Sequence, residues 1–341
     1  MRAETPLRAL TQLNREAQRL SRDDQSDILF YVLPAAQRDG TLLYILQGSD
    51  CNSVLTNDAI LSGFRQVWPA ADLLLIEKYG INRTLAYSAD AERPDCPAGT
   101  LRHDHPQQRL TDSMLVLNQL MASGAYQRLI ILGGSEGAVI ANLISAQRAD
   151  IAATIVFNGG GRRFIDDVLH SIKASVPEGP ERTGAINGFM AFANSLDAEP
   201  IALRPHKSSP EKESRSEQKV ANKQKDEGAS EQSAHENTIV SGHGIHWWQQ
   251  MLALDQQSIL QSVDSPVLII QSQQDKSVAP EQVDLMLKAL TQAGKNNIHY
   301  RMYPELDHQL KKPNGLNNRA WVINDISGWL TPILQNTPAG Q

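Results

Sequence analysis

RLIILGGSEG, residues Arg128 to Gly137, is the stretch that decides the fold. Four apolar residues of strand character, Leu129 to Leu132, run directly into Gly133, Gly134, Ser135, Glu136 and Gly137, and a helical pattern follows. The pattern is G-x-S-x-G in the strand-turn-helix setting that lifts a serine hydroxyl above a sheet. The glycines have a physical reason: a sharp turn with a strained backbone leaves no room for side chains between strand and helix. A phosphate-binding turn is the weaker reading, because no lysine is present and Glu136 opposes an anion. Ser135 is therefore read as a nucleophile.

Outward from this turn the chain alternates. Asp27 to Leu33, Leu42 to Leu46, Asp72 to Glu77, Ala153 to Phe157, Pro266 to Gln271 and Ile298 to Tyr303 are apolar without polar alternation, as strands covered on both faces are. Gln108 to Ser123, Glu136 to Gln147, Pro280 to Ala293 and Arg319 to Leu334 space their apolar residues by three and four, and Pro280 stands where a helix begins. The pattern predicts an α/β fold: a mostly parallel sheet with helices on both faces. The core spans residues 27–161 and 263–335. Residues 162–262 interrupt it as a helical cap, with helical stretches at Phe164 to Ser171, Gly184 to Ser195 and Ile245 to Leu260. Within the cap, about 206–237 is dense in Lys, Glu, Ser and Gln and reads as a disordered charged loop. Residues 1–26 read as a polar helical extension.

A serine hydroxyl at neutral pH needs a base, and the base needs an orienting carboxylate. After the strand at Pro266 to Gln271 the chain reads QSQQDKSVAP, placing Asp275 in a loop ahead of a helix; after Ile298 to Tyr303 it reads PELDHQL, placing His308 in the next such loop. The order Ser, Asp, His is that of hydrolases built on a nucleophile elbow. Asp275 also reads as a plain loop-capping residue, with Asp307 or Asp166 as substitute carboxylates. Among the other histidines, His299 lies in a strand pattern, His170 in a helix pattern, and His103 and His105 in a polar connection. The backbone N–H of Glu136 is one oxyanion donor, and that of Ser49, in the Gln47-Gly48-Ser49-Asp50 turn after an early strand, is the second candidate. His243, Trp247 and Trp248 are candidate pocket residues, although the aromatic side chains read equally as cap core.

Composition sets the outer limits. The 341 residues carry 32 Lys plus Arg against 38 Asp plus Glu, a net charge of -6, so no cationic field attracts nucleic acid. No apolar run approaches the roughly 20 residues that a membrane-spanning helix requires. Cys51 and Cys96 lie in neither a CxxC nor a zinc-spaced cluster; unpaired thiols are the expected state and a disulfide the alternative, and no metal or cofactor is called for. A bond between them would brace the Ser49 turn and favour an oxidising compartment. The polar start has no signal-peptide core and reads as cytoplasmic, whereas a chain whose signal had been removed, periplasmic or secreted, would look the same.

Through Ser135 in GGSEG, Asp275 in QSQQDKS, His308 in ELDHQL and the QGSD turn, the chain resembles the α/β-hydrolase superfamily over roughly residues 27–335. Its acid and histidine segments look like those of the prolyl oligopeptidase-like and esterase branches. The oxyanion turn departs from the pattern, with Gln47 where many members carry His. The resemblance implies a serine hydrolase acting on a small-molecule acyl substrate. Carboxylic esters lead, thioesters and peptides or amides use the same triad, and a catalytically silent binding protein is the reading from another class. A monomer is the default.

Overall fold

The computed structural model describes residues 16–90, 92–201 and 238–336. Ten strands are present among them: β1 (Gln18–Ser21), β2 (Asp27–Leu33), β3 (Thr41–Leu46), β4 (Asp72–Ile76), β5 (Arg128–Gly134), β6 (Ile151–Phe157), β7 (Ile239–Val240), β8 (His243–Gly244), β9 (Val267–Ser272) and β10 (Ile298–Tyr303). Eight of them form one sheet in the order β1-β2-β4-β3-β5-β6-β9-β10. The β1/β2 and β2/β4 pairs are antiparallel and all others parallel, so β2 alone runs against the sheet.

Successive side chains of a strand point to opposite faces, and here both faces are buried. Leu42, Tyr44 and Leu46 of β3, with Leu129 and Ile131 of β5, join one apolar cluster; Leu43, Ile45, Ile130 and Leu132 join the other. Each fully buried Leu or Ile contributes about 1.5–3 kcal/mol, which explains why these strands read as unbroken apolar runs. The helices α2 (Pro106–Ala122), α3 (Glu136–Ser145) and α8 (Pro280–Gln292) cover the first face, and α9 (Arg319–Asn336) covers the second. Pro280 opens α8, where its missing N–H costs nothing.

Between β6 and β9 the chain leaves the sheet and forms α4 (Phe164–Ser175), α5 (Pro180–Ser195), the β7/β8 hairpin, α6 (Ile245–Ala253) and α7 (Gln256–Gln261). A short helix, α1 (Ala98–His103), lies ahead of α2. The expected single helix over Ile245 to Leu260 is broken at Leu254 and Asp255, both extended. Asp255 accepts a hydrogen bond from the Ser258 N–H and pairs with Arg162, so capping a second helix outweighs continuing the first.

Two expectations change. Gln18–Ser21, inside the segment expected to be helical, is a strand on the sheet edge, while residues 1–15 lie outside the described residues. Cys51 and Cys96 are bonded to each other, with Cα atoms 6.0 Å apart, so the reading as unpaired thiols is overturned. Trp247 and Trp248 are buried and pack edge-on against Phe164 and Phe192, in line with the reading of these aromatic side chains as core. The charged loop at 206–237 lies outside the described residues. No helix among those described is long and apolar enough to cross a membrane.

Candidate active site

Ser135 sits between the last residue of β5 and the first of α3, with φ 55° and ψ -129°. This is a costly conformation for a residue with a side chain, and the neighbouring glycines make it possible. A Cβ on Gly133 would collide with the backbone of Gly137, one on Gly134 with the Phe157 ring, and one on Gly137 with the carbonyls of Leu46 and Gln47. All three glycines are required by close approach, and half-buried Ser135 stands clear of strand and helix.

The sheet brings the distant segments to this point. The Ser135 N–H donates to the Phe157 carbonyl at 3.0 Å, and the next residue, Asn158, donates from Nδ2 to the His308 carbonyl at 2.9 Å. Two successive residues at the end of β6 thus tie the serine turn and the histidine loop together. His308 Nδ1 lies 2.7 Å from Asp275 Oδ2, and the other oxygen of Asp275 accepts the N–H groups of Ser277 and Val278. Asp275 is consequently both the loop cap and the partner of the imidazole, its side chain fully buried while that of His308 is 26% exposed. Because a carboxylate only accepts, Nδ1 carries the proton and Nε2 is left for proton transfer. Asp307 instead accepts the Gln309 and Lys311 N–H groups of its own loop. An open groove of about 610 Å³ runs beside His308, lined by Gln274, Lys276, Ser277, Gln309 and Lys311.

On the other flank, the Gln47-Gly48-Ser49 turn lies against the serine. A Cβ on Gly48 would stand 3.4 Å from the Ser135 Cβ and 3.8 Å from its Oγ, ordinary contact distances that place the turn directly against the serine. Glu136, the residue after the serine, is buried and pairs with Arg109 at 2.8 Å. Burial opposes its charge, but the Arg109 guanidinium, Lys78 and His243 outweigh that and hold the carboxyl well below the usual carboxylate range. His243 stacks on the Trp247 ring at 3.8 Å, and burial first, then Lys78, lowers its pKa.

Reading the sequence missed Asn158, Arg109 and Lys78. Asn158 has φ 50° and binds Ser272 twice, through its N–H and its hydroxyl; an Asn just after a strand was the only available signal. Arg109 and Lys78 left none, because their partners are distant in sequence. His103 and His105 meet Tyr79 and Gln250, and among the described residues no group of three or more His, Cys, Asp or Glu is arranged to hold a metal.

This architecture is the α/β-hydrolase fold. The structure is similar to Est1E from Butyrivibrio proteoclasticus, at TM-score 0.54 and 11% identity over 94% of this chain and 99% of that one. It is similar to a putative aryl esterase from Burkholderia cenocepacia, at TM-score 0.52 and 12% identity over 94% and 100%. An esterase from Pyrococcus furiosus gives TM-score 0.51 and 10% identity over 98% and 95%. Residues 222–337, the part that carries Asp275 and His308, match the prolyl oligopeptidase family. No curated protein sequence matches the chain.

Proposed function

We propose that the protein is a serine hydrolase that cleaves carboxylic esters through an acyl-enzyme. The observation that carries the reading is the Asp275 carboxylate on His308 Nδ1 at 2.7 Å, on a loop tied through Asn158 to the strand end that holds Ser135. Ser135 Oγ attacks the acyl carbonyl while His308 Nε2 takes its proton. The N–H groups of Glu136 and Ser49 receive the oxyanion, and His308 returns the proton to the departing alkoxide. Water, activated by the same imidazole, then releases the acid and restores the serine.

Esters are favoured because an alkoxide leaves more readily than an amide nitrogen. The description of similar structures as esterases agrees with this. The match to the prolyl oligopeptidase family covers the acid and base segments, which ester and peptide cleavage share, so it supports the triad without selecting a peptide. The inserted helices are proposed as a cap beside the site, with residues 27–161 and 263–335 as the catalytic core. The disulfide supports an oxidising compartment.

The test is a fluorophosphonate probe read by intact mass, beside a series of p-nitrophenyl esters, a thioester and an aminoacyl amide. One adduct on Ser135 is expected, absent in Ser135→Ala, with ester turnover falling by roughly 10⁴ to 10⁶ in Ser135→Ala and His308→Ala. Folded protein that takes no label and turns over none of these substrates overturns the reading.

A further inference from the structure

Arg109, on α2, reaches both segments that supply the oxyanion donors. Its side chain is 10% exposed. Nη1 donates to Glu136 Oε1 at 2.8 Å, and Nη2 donates to the Gln47 carbonyl at 2.7 Å. Glu136 offers its own backbone N–H as one donor. Gln47 stands two residues before Ser49, whose N–H is the other. A guanidinium is a rigid planar fork, so two acceptors bound to its two ends are held at a fixed separation. The base of the fork is itself held: the Arg109 carbonyl accepts the Ser113 hydroxyl at 2.6 Å, and Ser113 meets the Tyr44 hydroxyl on β3 at 2.8 Å.

The remainder of the turn has other supports. Gln47 Nε2 donates to Asp50 Oδ1 and to the Asn52 carbonyl, Lys78 donates to the Asp50 carbonyl, and Arg93 donates to the Cys51 carbonyl. Loss of Arg109 therefore leaves the turn in place and frees only its junction with the start of α3. Stabilisation of an oxyanion depends on donors fixed before the charge develops, and a displacement well under the length of a hydrogen bond is enough to weaken it.

We propose that Arg109 is a positioning residue that sets the spacing of the two oxyanion donors, an inference that rests on the serine hydrolase reading. It touches neither substrate nor nucleophile and acts through Gln47 and Glu136. Removing it alone would strand the buried Glu136 carboxylate. The informative variants are therefore the pair Arg109→Met with Glu136→Gln, which removes both charges at similar volume, and Arg109→Lys, whose single ammonium cannot span both acceptors in the same way.

The experiment compares an ester with its thiono analogue, in which sulfur replaces the carbonyl oxygen. Sulfur is larger and a poorer acceptor, so donors spaced for oxygen discriminate against it. In the double variant kcat for the oxygen ester should fall by about 10², with KM nearly unchanged and the thiono ester much less affected, so the oxygen-to-sulfur rate ratio collapses. Arg109→Lys should lie between. A ratio unchanged in folded variants, whether both rates fall together or neither moves, overturns the proposal and leaves Arg109 a structural ion pair. Should the double variant fail to fold, the ratio in Arg109→Lys decides in the same way. Failure of the underlying reading looks different, because the unaltered protein then hydrolyses neither ester and leaves Ser135 unlabelled, which removes both readings together.

Discussion

Ser135 is flanked by two turns that are fixed by different chemistry. On one flank the Gln47 to Asn52 turn is held by charged groups: Arg109 on the Gln47 carbonyl, Lys78 on the Asp50 carbonyl, Arg93 on the Cys51 carbonyl, and the bond from Cys51 to Cys96. On the other flank the Asp275 and His308 loops are held by the uncharged side chain of Asn158 and by backbone N–H groups on Asp275. The contrast follows from where the turns lie. The acid and base loops leave adjacent parallel strands, β9 and β10, whose ladder already aligns them, so one amide completes the job. The Gln47 turn opens a long irregular passage of short helical turns over Val54–Thr56, Ala59–Gly63 and Phe64–Val67, and needs anchors drawn from elsewhere in the chain.

The largest effect expected from breaking either side is loss of the disulfide. It closes a loop over a sequence separation of 45, for which the chain-entropy account gives a stabilisation of about 4 kcal/mol. Replacing Cys51 and Cys96 together by Ala should lower the stability by a corresponding amount, with a lower urea midpoint and a steeper slope because the unbridged unfolded chain is more expanded, and should slow ester turnover while fluorophosphonate still reaches Ser135. A double variant as stable as the parent would show that the charged anchors suffice without the covalent one.

Asn158 tests the other side, with a smaller expected effect. At φ 50° it occupies a region that Asn and Gly visit at low cost, so Asn158→Gly keeps the backbone and removes only the amide. Its loss leaves the His308 carbonyl and the Ser272 N–H without that partner, a cost of about 1–3 kcal/mol for each group that stays dry. A drop in kcat of about 10-fold to 100-fold with KM little changed is expected from a loosened imidazole. Equal loss in kcat and in probe labelling, with the oxygen-to-sulfur ratio preserved, would mark the fault as lying on the acid-base side. A collapsed ratio would mean that the two flanks are not separable.

The same contrast explains what was legible in the sequence. The sheet was readable because its central strands, such as Thr41–Leu46, are buried on both faces and so are apolar; Asp27–Leu33 and the partly exposed edge strand Ile298–Tyr303 also appear at the expected limits. The pairing of Asp275 with His308 was readable because each follows a strand and the hydrolase order supplies the partner. β1 was not, because QRLS is polar and gains its place only by pairing with β2. The anchors of the Gln47 turn were hidden for a different reason: Arg109 and Gln47 are 62 residues apart, and nothing local in either segment announces the other. The aromatic residues of the inserted segment were readable both as core and as pocket lining, and the choice was hidden because burial depends on which helices meet.

Protonation separates the two flanks most finely. Asp167 on α4 is buried, and burial pushes its carboxyl up to about 7 against the hydrogen bonds it accepts from Ala279 and Gly161, with the charges of Asp166 and Asp275 adding to the rise. His170, one turn along the same helix, meets the Asp275 carbonyl at 3.0 Å, so this face of α4 rests on the acid loop. Between its ordinary value of 3.8 and about 7 the folded chain keeps a proton that the unfolded chain has released, so stability falls as pH rises through that window. Asp167→Asn keeps an acceptor for the Ala279 N–H and abolishes the titration. The decline across the window should flatten by at most about 1.4 kcal/mol per pH unit, read from urea unfolding at several pH values. The Gln47 flank should contribute only a slope of opposite sign at the lower end of the window, because Glu136 beside Arg109 stays ionised in the folded chain while the unfolded carboxyl still binds a proton around its ordinary 4.5. A decline that survives in Asp167→Asn but disappears when Glu136 is replaced by Gln would reverse that assignment and place the proton-sensitive anchor on the oxyanion side.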